Sequence, residues 1–128
     1  MILLDTHALV WLASAPDRLS DAARSSIRAN PASLHLSVVS AWEISLLVKR
    51  GRLTLPLPPE EFLTAAIAHH GLIELPLNRR IAQYSVSLPD LHHDPFDRIL
   101  IAECLTRELS LISCDTVIPR YPGIHVVW

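Results

Sequence analysis

Short, unbroken apolar runs alternate along this chain with segments of helical periodicity, and this alternation limits the folds that the chain can adopt. Residues 1–4, Met-Ile-Leu-Leu, form the first such run. An apolar run of this length is typical of a parallel strand that is buried on both faces. Because parallel strands are connected through helices, we predict an α/β protein, a three-layer α/β/α sandwich.

Caps, breakers and periodicity predict where the elements begin and end. The predicted strands cover residues 1–4, 34–39, 72–75, 109–113 and 125–127. The first two predicted helices run from the Asp5 cap to residue 13 and over residues 21–29. The third begins at Ser40, with Glu43 completing a capping box, and ends at Gly51. The last three cover residues 60–70, run from the Asn78 cap to about residue 87, and run from the Asp94 cap to residue 108. The proline-rich connector at 53–59 is too short to separate domains, so we expect 1–128 to form a single domain.

Composition excludes several classes of protein. The three glycines cannot form a GxGxxG or P-loop motif, which excludes the nucleotide cofactors that those loops hold. A net charge of −2 argues against binding nucleic acid by bulk electrostatics, so any such contact must be local. No apolar stretch approaches a membrane span and the N-terminus lacks signal-peptide features, so we expect no membrane contact and a cytoplasmic location. Cys104 and Cys114 are expected to be reduced thiols.

Four acidic residues stand near the ends of the predicted strands or in the helix that follows: Asp5, Glu43, Asp97 and Asp115. Each has an ordinary structural explanation, because such residues also cap helices and form turns. All four nevertheless map to the same edge of the sheet, where α/β proteins bind ligands. Two carboxylates about 4 Å apart repel by roughly 4 kcal/mol at an effective dielectric of 20. We therefore predict a metal ion among them, and oxygen ligands favour Mg²⁺ or Mn²⁺.

Four stretches of the sequence resemble a known family. They are Met-Ile-Leu-Leu-Asp-Thr-His-Ala-Leu at 1–9, Ser-Ala-Trp-Glu-Ile at 40–44, His-Asp-Pro-Phe-Asp-Arg-Ile-Leu-Ile-Ala at 93–102 and Leu-Ile-Ser-Cys-Asp at 111–115. In this order they resemble the PIN domain, and more narrowly the VapC-type toxins of type II toxin–antitoxin pairs. The resemblance implies a five-stranded parallel sheet, Mg²⁺- or Mn²⁺-dependent endoribonuclease activity on an RNA substrate, a homodimer and a cognate antitoxin protein.

The resemblance also assigns site residues. It implies that Asp5, Glu43 and Asp97 are the three central catalytic and metal-binding acids and that Asp115 is the more variable fourth. Small hydroxyl residues beside the site correspond to Thr6 and Ser113. Cys114 stands where the family often has a basic residue, so this chain lacks that positive charge beside its fourth acid.

The sequence allows two interpretations for several further residues. Arg98, in the first turn of a helix, either pairs with Asp94 or a substrate phosphate or is solvated. Helix-dipole complementarity explains the basic cluster at 49–52 better than RNA guidance does, and His92 and His93 are expected to be loop residues rather than metal ligands. His7 follows Asp5 closely, on a helix face that the sequence does not assign. Trp11 and Trp42 are expected in the core or an interface rather than stacked on bases.

Two other functions stay open from the residues alone. An aspartate-dependent phosphatase would need a second aspartate two residues after the nucleophile, where this chain has His7, and a lysine after a later strand, whereas Lys49 ends a helix. A non-catalytic PIN-fold binding module would act only through its apolar surfaces, but it would not need all four acids.

Overall fold

The computed structural model describes residues 1–128 as one five-stranded sheet in which every strand pair is parallel. The strands are β1 Ile2–Leu4, β2 Leu34–Ser37, β3 Ile73–Leu75, β4 Ser110–Ile112 and β5 His125–Val127. The helices are α1 Thr6–Ser14, α2 Asp21–Ala29, α3 Val38–Lys49, α4 Pro59–His70, α5 Arg79–Ser87 and α6 Pro95–Arg107, with short 3₁₀ turns at Pro16–Arg18 and Ile118–Arg120. The predicted α/β/α class and the five-stranded parallel sheet are both confirmed.

The strand order β3-β2-β1-β4-β5 places β1 at the centre. From β1 the chain winds outward through β2 to β3, then returns to the other side of β1 as β4 and β5. The winding direction therefore reverses between β1 and β4, which leaves a crevice beyond their carboxyl ends. The first residue after β1 is Asp5, and the segment after β4 leads to Asp115.

Alternating side chains divide the interior into two cores, one on each face of the sheet. Ile2 and Leu4 point into a core with α1, α2 and α4, whereas Leu3 points into a second core with α5 and α6. Leu3 and Leu4 are completely buried, which contributes about 1.5–3 kcal/mol for each side chain. Both faces are covered, as the unbroken apolar runs predict.

Most predicted caps are confirmed. The side chains of Asp5, Ser20, Asn78 and Asp94 each accept a hydrogen bond from a main-chain N–H in the first turn of the helix that follows. Gly71 ends α4 in the left-handed region, with a φ of 62°. No helix of the protein is both long and apolar enough to cross a bilayer.

The predicted start of α3 is wrong by two residues. Strand β2 ends at Ser37, whose hydroxyl accepts from the Val39 N–H at 3.1 Å, and the helix begins at Val38 rather than at Ser40. The β-branched pair Val38-Val39 continues the apolar pattern of the strand, which hid the boundary. Glu43 is consequently in the second turn of α3 and is not part of a capping box.

Candidate active site

Asp5 is fixed at the carboxyl end of the central strand. Its Oδ1 accepts from the Ala8 N–H at 2.7 Å, and the residue is only 7% exposed. Burial raises the pKa of this carboxyl group, and hydrogen bonds from the Ser113 hydroxyl and the Ala8 N–H offset part of the rise. Ser113 thus lies beside the site, as expected from the sequence. The cap geometry and the site geometry are compatible, because capping uses only one carboxylate oxygen.

Glu43 points from α3 toward the first turn of α1. The Thr6 hydroxyl donates a hydrogen bond to Glu43 Oε1, and Thr6 Oγ1 lies 3.2 Å from the Ser40 hydroxyl oxygen. Burial raises the pKa of Glu43, and this hydrogen bond lowers it less than burial raises it. Thr6 therefore orients a buried acid, which agrees with its expected place beside the site.

Asp97 and Asp115 meet across the crevice with His92 between them. The Nε2 atom of His92 lies 2.9 Å from Asp115 Oδ2 and 3.3 Å from Asp97 Oδ2. These three residues offer ligand atoms that all lie within 4.8 Å of one another. The structure thus brings two predicted acids, Asp97 and Asp115, close enough to bind the same metal ion. Asp5 and Glu43 lie outside this group of three.

Electrostatic effects nevertheless link all four acids into a ring. Burial and the charges of Asp94, Glu43 and Asp115 raise the pKa of Asp97 to about 7, despite the opposing effect of His92. Asp5 raises the pKa of Glu43, and Asp115 raises that of Asp5. For Asp115 itself, hydrogen bonds from His92 and from the Ile118 and Val117 N–H groups outweigh burial and lower the pKa.

Such a ring fits a hard divalent cation. The donors are carboxylate oxygens, which Mg²⁺ and Mn²⁺ prefer. Burial first, and then the charges of other acids, raise the pKa of three of these carboxyl groups, those of Asp5, Glu43 and Asp97, so a cation would relieve an existing cost. No buried lysine or arginine supplies this charge, because the only basic side chain within salt-bridge distance of the four acids is that of His92.

Asp94 caps α6 and also faces the site. Its Oδ1 accepts from the Phe96 N–H at 2.9 Å, and its charge raises the pKa of both Glu43 and Asp97. It therefore belongs to the surroundings of the acids, whereas Asp97 shares the contact with His92.

The structure contradicts two expectations for Arg98, the ion pair with Asp94 and the solvated side chain. Its guanidinium neither pairs with Asp94 nor extends into solvent, since the side chain is 12% exposed. Its five N–H groups donate to six acceptors, in the segment before α6 and in one tyrosine, so one N–H of Nη1 is shared between two acceptors. The acceptors, at 2.8–3.3 Å, are the main-chain carbonyls of Ser85, Val86, Leu88, Pro89 and His92 and the hydroxyl of Tyr121.

The two histidines of the loop before α6 have different places. His92 lies in a loop, as expected, but its ring has partners that the sequence did not indicate, because it contacts both Asp97 and Asp115. No spacing in the sequence could reveal this, since Asp115 is 23 positions away and the contact depends on how the loop folds. His93 is exposed, and the structure gives it no hydrogen bond.

A cavity of about 440 Å³ opens beside Glu43 and Asp94. Arg50 and Arg52 line its other side, so part of the basic cluster at 49–52 faces the acids in addition to complementing the dipole of α3. Phe96 also lines the cavity, and its ring makes an edge-to-face contact, at 5.0 Å between centroids, with Trp42, which is 58% exposed. Trp42 is therefore not a core residue.

Trp11 and His7 lie on the other side of the site, on α1. The Trp11 ring packs at 5.7 Å against Trp128 and at 5.8 Å against the exposed His7. Trp11 is partly buried against the first core, as expected. The charge of His7 lowers the pKa of both Asp5 and Glu43, which assigns its helix face to the side of the acids.

Comparison with known proteins agrees with this architecture. The model of the PIN domain family matches residues 2–124. Three similar solved structures are VapBC2 from Rickettsia felis bound to a promoter DNA fragment (13% identity, TM-score 0.74, 98% of this chain and 97% of that one), DNA-bound VapBC from Salmonella typhimurium (18%, 0.70, 98% and 95%) and a toxin–antitoxin complex from Klebsiella pneumoniae (20%, 0.67, 97% and 95%). No relative was found among curated proteins. At these identities the structures establish the shared fold, and the family match establishes that this chain belongs to the PIN domain family, a family of nucleases.

Proposed function

We propose that this protein is a VapC-type toxin, a Mg²⁺- or Mn²⁺-dependent endoribonuclease that a cognate antitoxin neutralises. The observation that carries the proposal is the ring of Asp5, Glu43, Asp97 and Asp115 at the topological switch point. Three of these carboxyl groups have a raised pKa, and no lysine or arginine lies within salt-bridge distance of any of the four. Because the chain belongs to a family of nucleases, hydrolysis of a nucleic acid is the reaction that we assign to this ring. The toxin–antitoxin complexes among similar structures support the partner.

The residues of this chain have separate tasks in the proposed reaction. Asp97 and Asp115 offer adjoining oxygens for the metal, with Asp5 and Glu43 completing the acidic surroundings. These residues would hold a divalent ion, whose chemistry would be to activate a water and neutralise the scissile phosphate. Thr6 holds the Glu43 carboxylate in place, and the Ala8 N–H holds that of Asp5.

Arg50 and Arg52 supply the local positive charge that an RNA backbone requires in a chain of net charge −2. A guanidinium group can donate two parallel hydrogen bonds to one phosphate, and here both arginines line the same cavity as Glu43 and Asp94. The strand is thereby guided along the cavity toward the acids, without a large basic surface elsewhere.

Cleavage of RNA tests the catalytic part. Wild-type protein with Mg²⁺ or Mn²⁺ should cut a mixed-sequence single-stranded RNA internally, and EDTA should stop the reaction. Asp5→Asn and Asp97→Asn should each lower turnover by at least about 100-fold, whereas Asp17→Asn, the same exchange on a fully exposed acid, should not change it. Wild-type turnover by either site variant would remove that acid from the mechanism.

Growth and oligomeric state test the biological part. Induction of the chain in cells should arrest growth, and co-expression of its cognate antitoxin should restore it. Asp97→Asn should abolish the arrest at equal protein level.

Light scattering should give twice the chain mass of 14.3 kDa, because we expect a homodimer, and the monomer mass would contradict this.

A further inference from the structure

The loop between α5 and α6, residues 88–94, is held by the side chains of Arg98 and Tyr121. The His92 N–H donates to the Tyr121 hydroxyl oxygen at 2.8 Å, and Arg98 Nη1 donates to the His92 carbonyl at 3.1 Å. The Tyr121 hydroxyl in turn donates to the Pro89 carbonyl at 2.8 Å, and Tyr121 is only 2% exposed. Both main-chain polar groups of His92 are therefore fixed by largely buried partners.

The backbone fixed in this way presents the imidazole of His92 to the acids. Its Nε2 contacts Asp115 Oδ2 at 2.9 Å and Asp97 Oδ2 at 3.3 Å. Its other ring nitrogen, Nδ1, faces the main-chain N–H of Asp94 at 3.1 Å. Every polar atom of the residue thus has a partner, which is unusual for a loop histidine without a role.

These partners determine where the ring carries its proton. The Asp94 N–H can only donate, so Nδ1 must accept, and an accepting ring nitrogen bears no hydrogen. In the neutral imidazole the proton is then on Nε2, which donates it to Asp115 Oδ2 and lies beside Asp97 Oδ2. A nitrogen that bears a proton has no lone pair for a metal ion, so this arrangement makes His92 a donor to the carboxylates.

We propose that His92 is a positioning residue, whose Nε2–H orients the Asp115 and Asp97 carboxylates toward the cation; this inference rests on the metal site of the proposed function. Carboxylates that bind metals are commonly hydrogen-bonded on their outer side, and loss of such a partner typically lowers metal affinity about 10–100-fold. His92 supplies that hydrogen bond to Asp115, and the same Nε2 atom lies 3.3 Å from Asp97 Oδ2, close enough to fix the spacing of the two carboxylates. The α5–α6 loop is the part of the fold that delivers it.

Calorimetric titration of Mn²⁺ into the RNA-free protein tests the inference. Replacement of His92 by leucine removes the donor, so Mn²⁺ affinity should fall about 10–100-fold. Replacement by glutamine keeps an N–H at a similar reach, so His92→Gln should bind Mn²⁺ within a few-fold of wild type. His93→Gln is the matched control, because this exposed neighbour has no hydrogen bond, and its affinity should equal that of wild type.

Nitrogen NMR of ¹⁵N-histidine-labelled wild-type protein gives a second measurement that needs no variant and no RNA. The shifts should show His92 protonated at Nε2 and unprotonated at Nδ1, both without metal and with Mg²⁺. Loss of the Nε2 proton on adding Mg²⁺, together with equal losses of affinity in the glutamine and leucine variants, would make His92 a metal ligand and overturn the inference. Unchanged affinity in His92→Leu would also overturn it.

Failure of the proposed function is distinguishable from failure of this inference. A protein that binds Mn²⁺ through His92-oriented acids but leaves every RNA intact contradicts the ribonuclease proposal alone. If the His92→Leu variant cleaves RNA at the wild-type rate, only the positioning role of His92 is contradicted.

Discussion

Replacement of Asp97 by asparagine should stabilise the metal-free protein, and the gain should depend on pH in a defined way. Asp97 is 21% exposed, and its pKa is raised to about 7 by burial first and then by the neighbouring acids. Asparagine has nearly the same shape but carries no charge. The substitution therefore removes a repulsive, poorly solvated charge and leaves the helix backbone unchanged.

The sign follows from proton binding. The unfolded carboxyl group loses its proton near pH 3.8, whereas the folded one keeps it up to about pH 7. Between these values the folded state binds more protons, so wild-type stability falls as pH rises through this window and is lowest above pH 7. At 1.36 kcal/mol per pKa unit, the 3.2 units between 3.8 and 7 give a maximum cost of about 4 kcal/mol at pH 8.

Urea unfolding in EDTA at pH 4, 6 and 8 measures this cost. The free energy of unfolding of Asp97→Asn minus that of wild type should be smallest at pH 4 and should rise toward pH 8, to a few kcal/mol. Asp17→Asn, on a fully exposed aspartate, is the control and should show no such rise. The reasoning would be refuted by a difference that is flat with pH, or by a variant less stable than wild type at pH 8.

Three further predictions concern single side chains. Burial raises the pKa of the fully buried Glu103 from 4.5 to about 7. The free energy of unfolding of Glu103→Gln should therefore exceed that of wild type by up to about 3 kcal/mol at pH 8 and by much less at pH 4. A melting temperature that changes equally at both pH values would contradict this. Arg98→Lys cannot satisfy the five main-chain carbonyls, so urea unfolding should show a loss of at least about 2 kcal/mol, while Arg24→Lys at an exposed ion pair stays near wild type. Thr6→Val should weaken Mn²⁺ binding about 10–100-fold in calorimetry while Thr6→Ser retains it, and equal binding by both would show that the hydroxyl does not orient Glu43.

Local signals predicted the elements well because the physics that sets them is local. Asp94-Pro95 starts α6 through a cap and a fixed φ, and Gly71 ends α4 because it tolerates a positive φ. The same signals failed at Val38, where two β-branched residues suit a strand and the first turn of a helix equally. Only the Ser37 hydroxyl, bonded to the Val39 N–H, separates the two elements.

The acids and the hydroxyl residues beside them could be placed from the sequence, but the contacts made by Arg98 and His92 could not. Asp5 and Asp115 follow strands that must end at one edge, so topology alone brings them together. Arg98 and His92 act through a loop whose path depends on Tyr121, a residue more than 20 positions away. Spacing along the chain carries no record of such contacts, and a helix-start arginine looks the same whether it is solvated or surrounded by carbonyls.

The hydrogen bonds of Arg98 converge on one guanidinium, and this convergence has a consequence for how the molecule opens. Because they share a donor group, the bonds to the end of α5, to the loop and to Tyr121 should break together rather than one by one. A fluctuation that frees this one side chain would withdraw His92 from the acids while both hydrophobic cores stay intact. Amide hydrogen exchange at His92 and Asp94 should therefore be faster than in the central strand. On heating, the activity of the site should be lost before the protein unfolds.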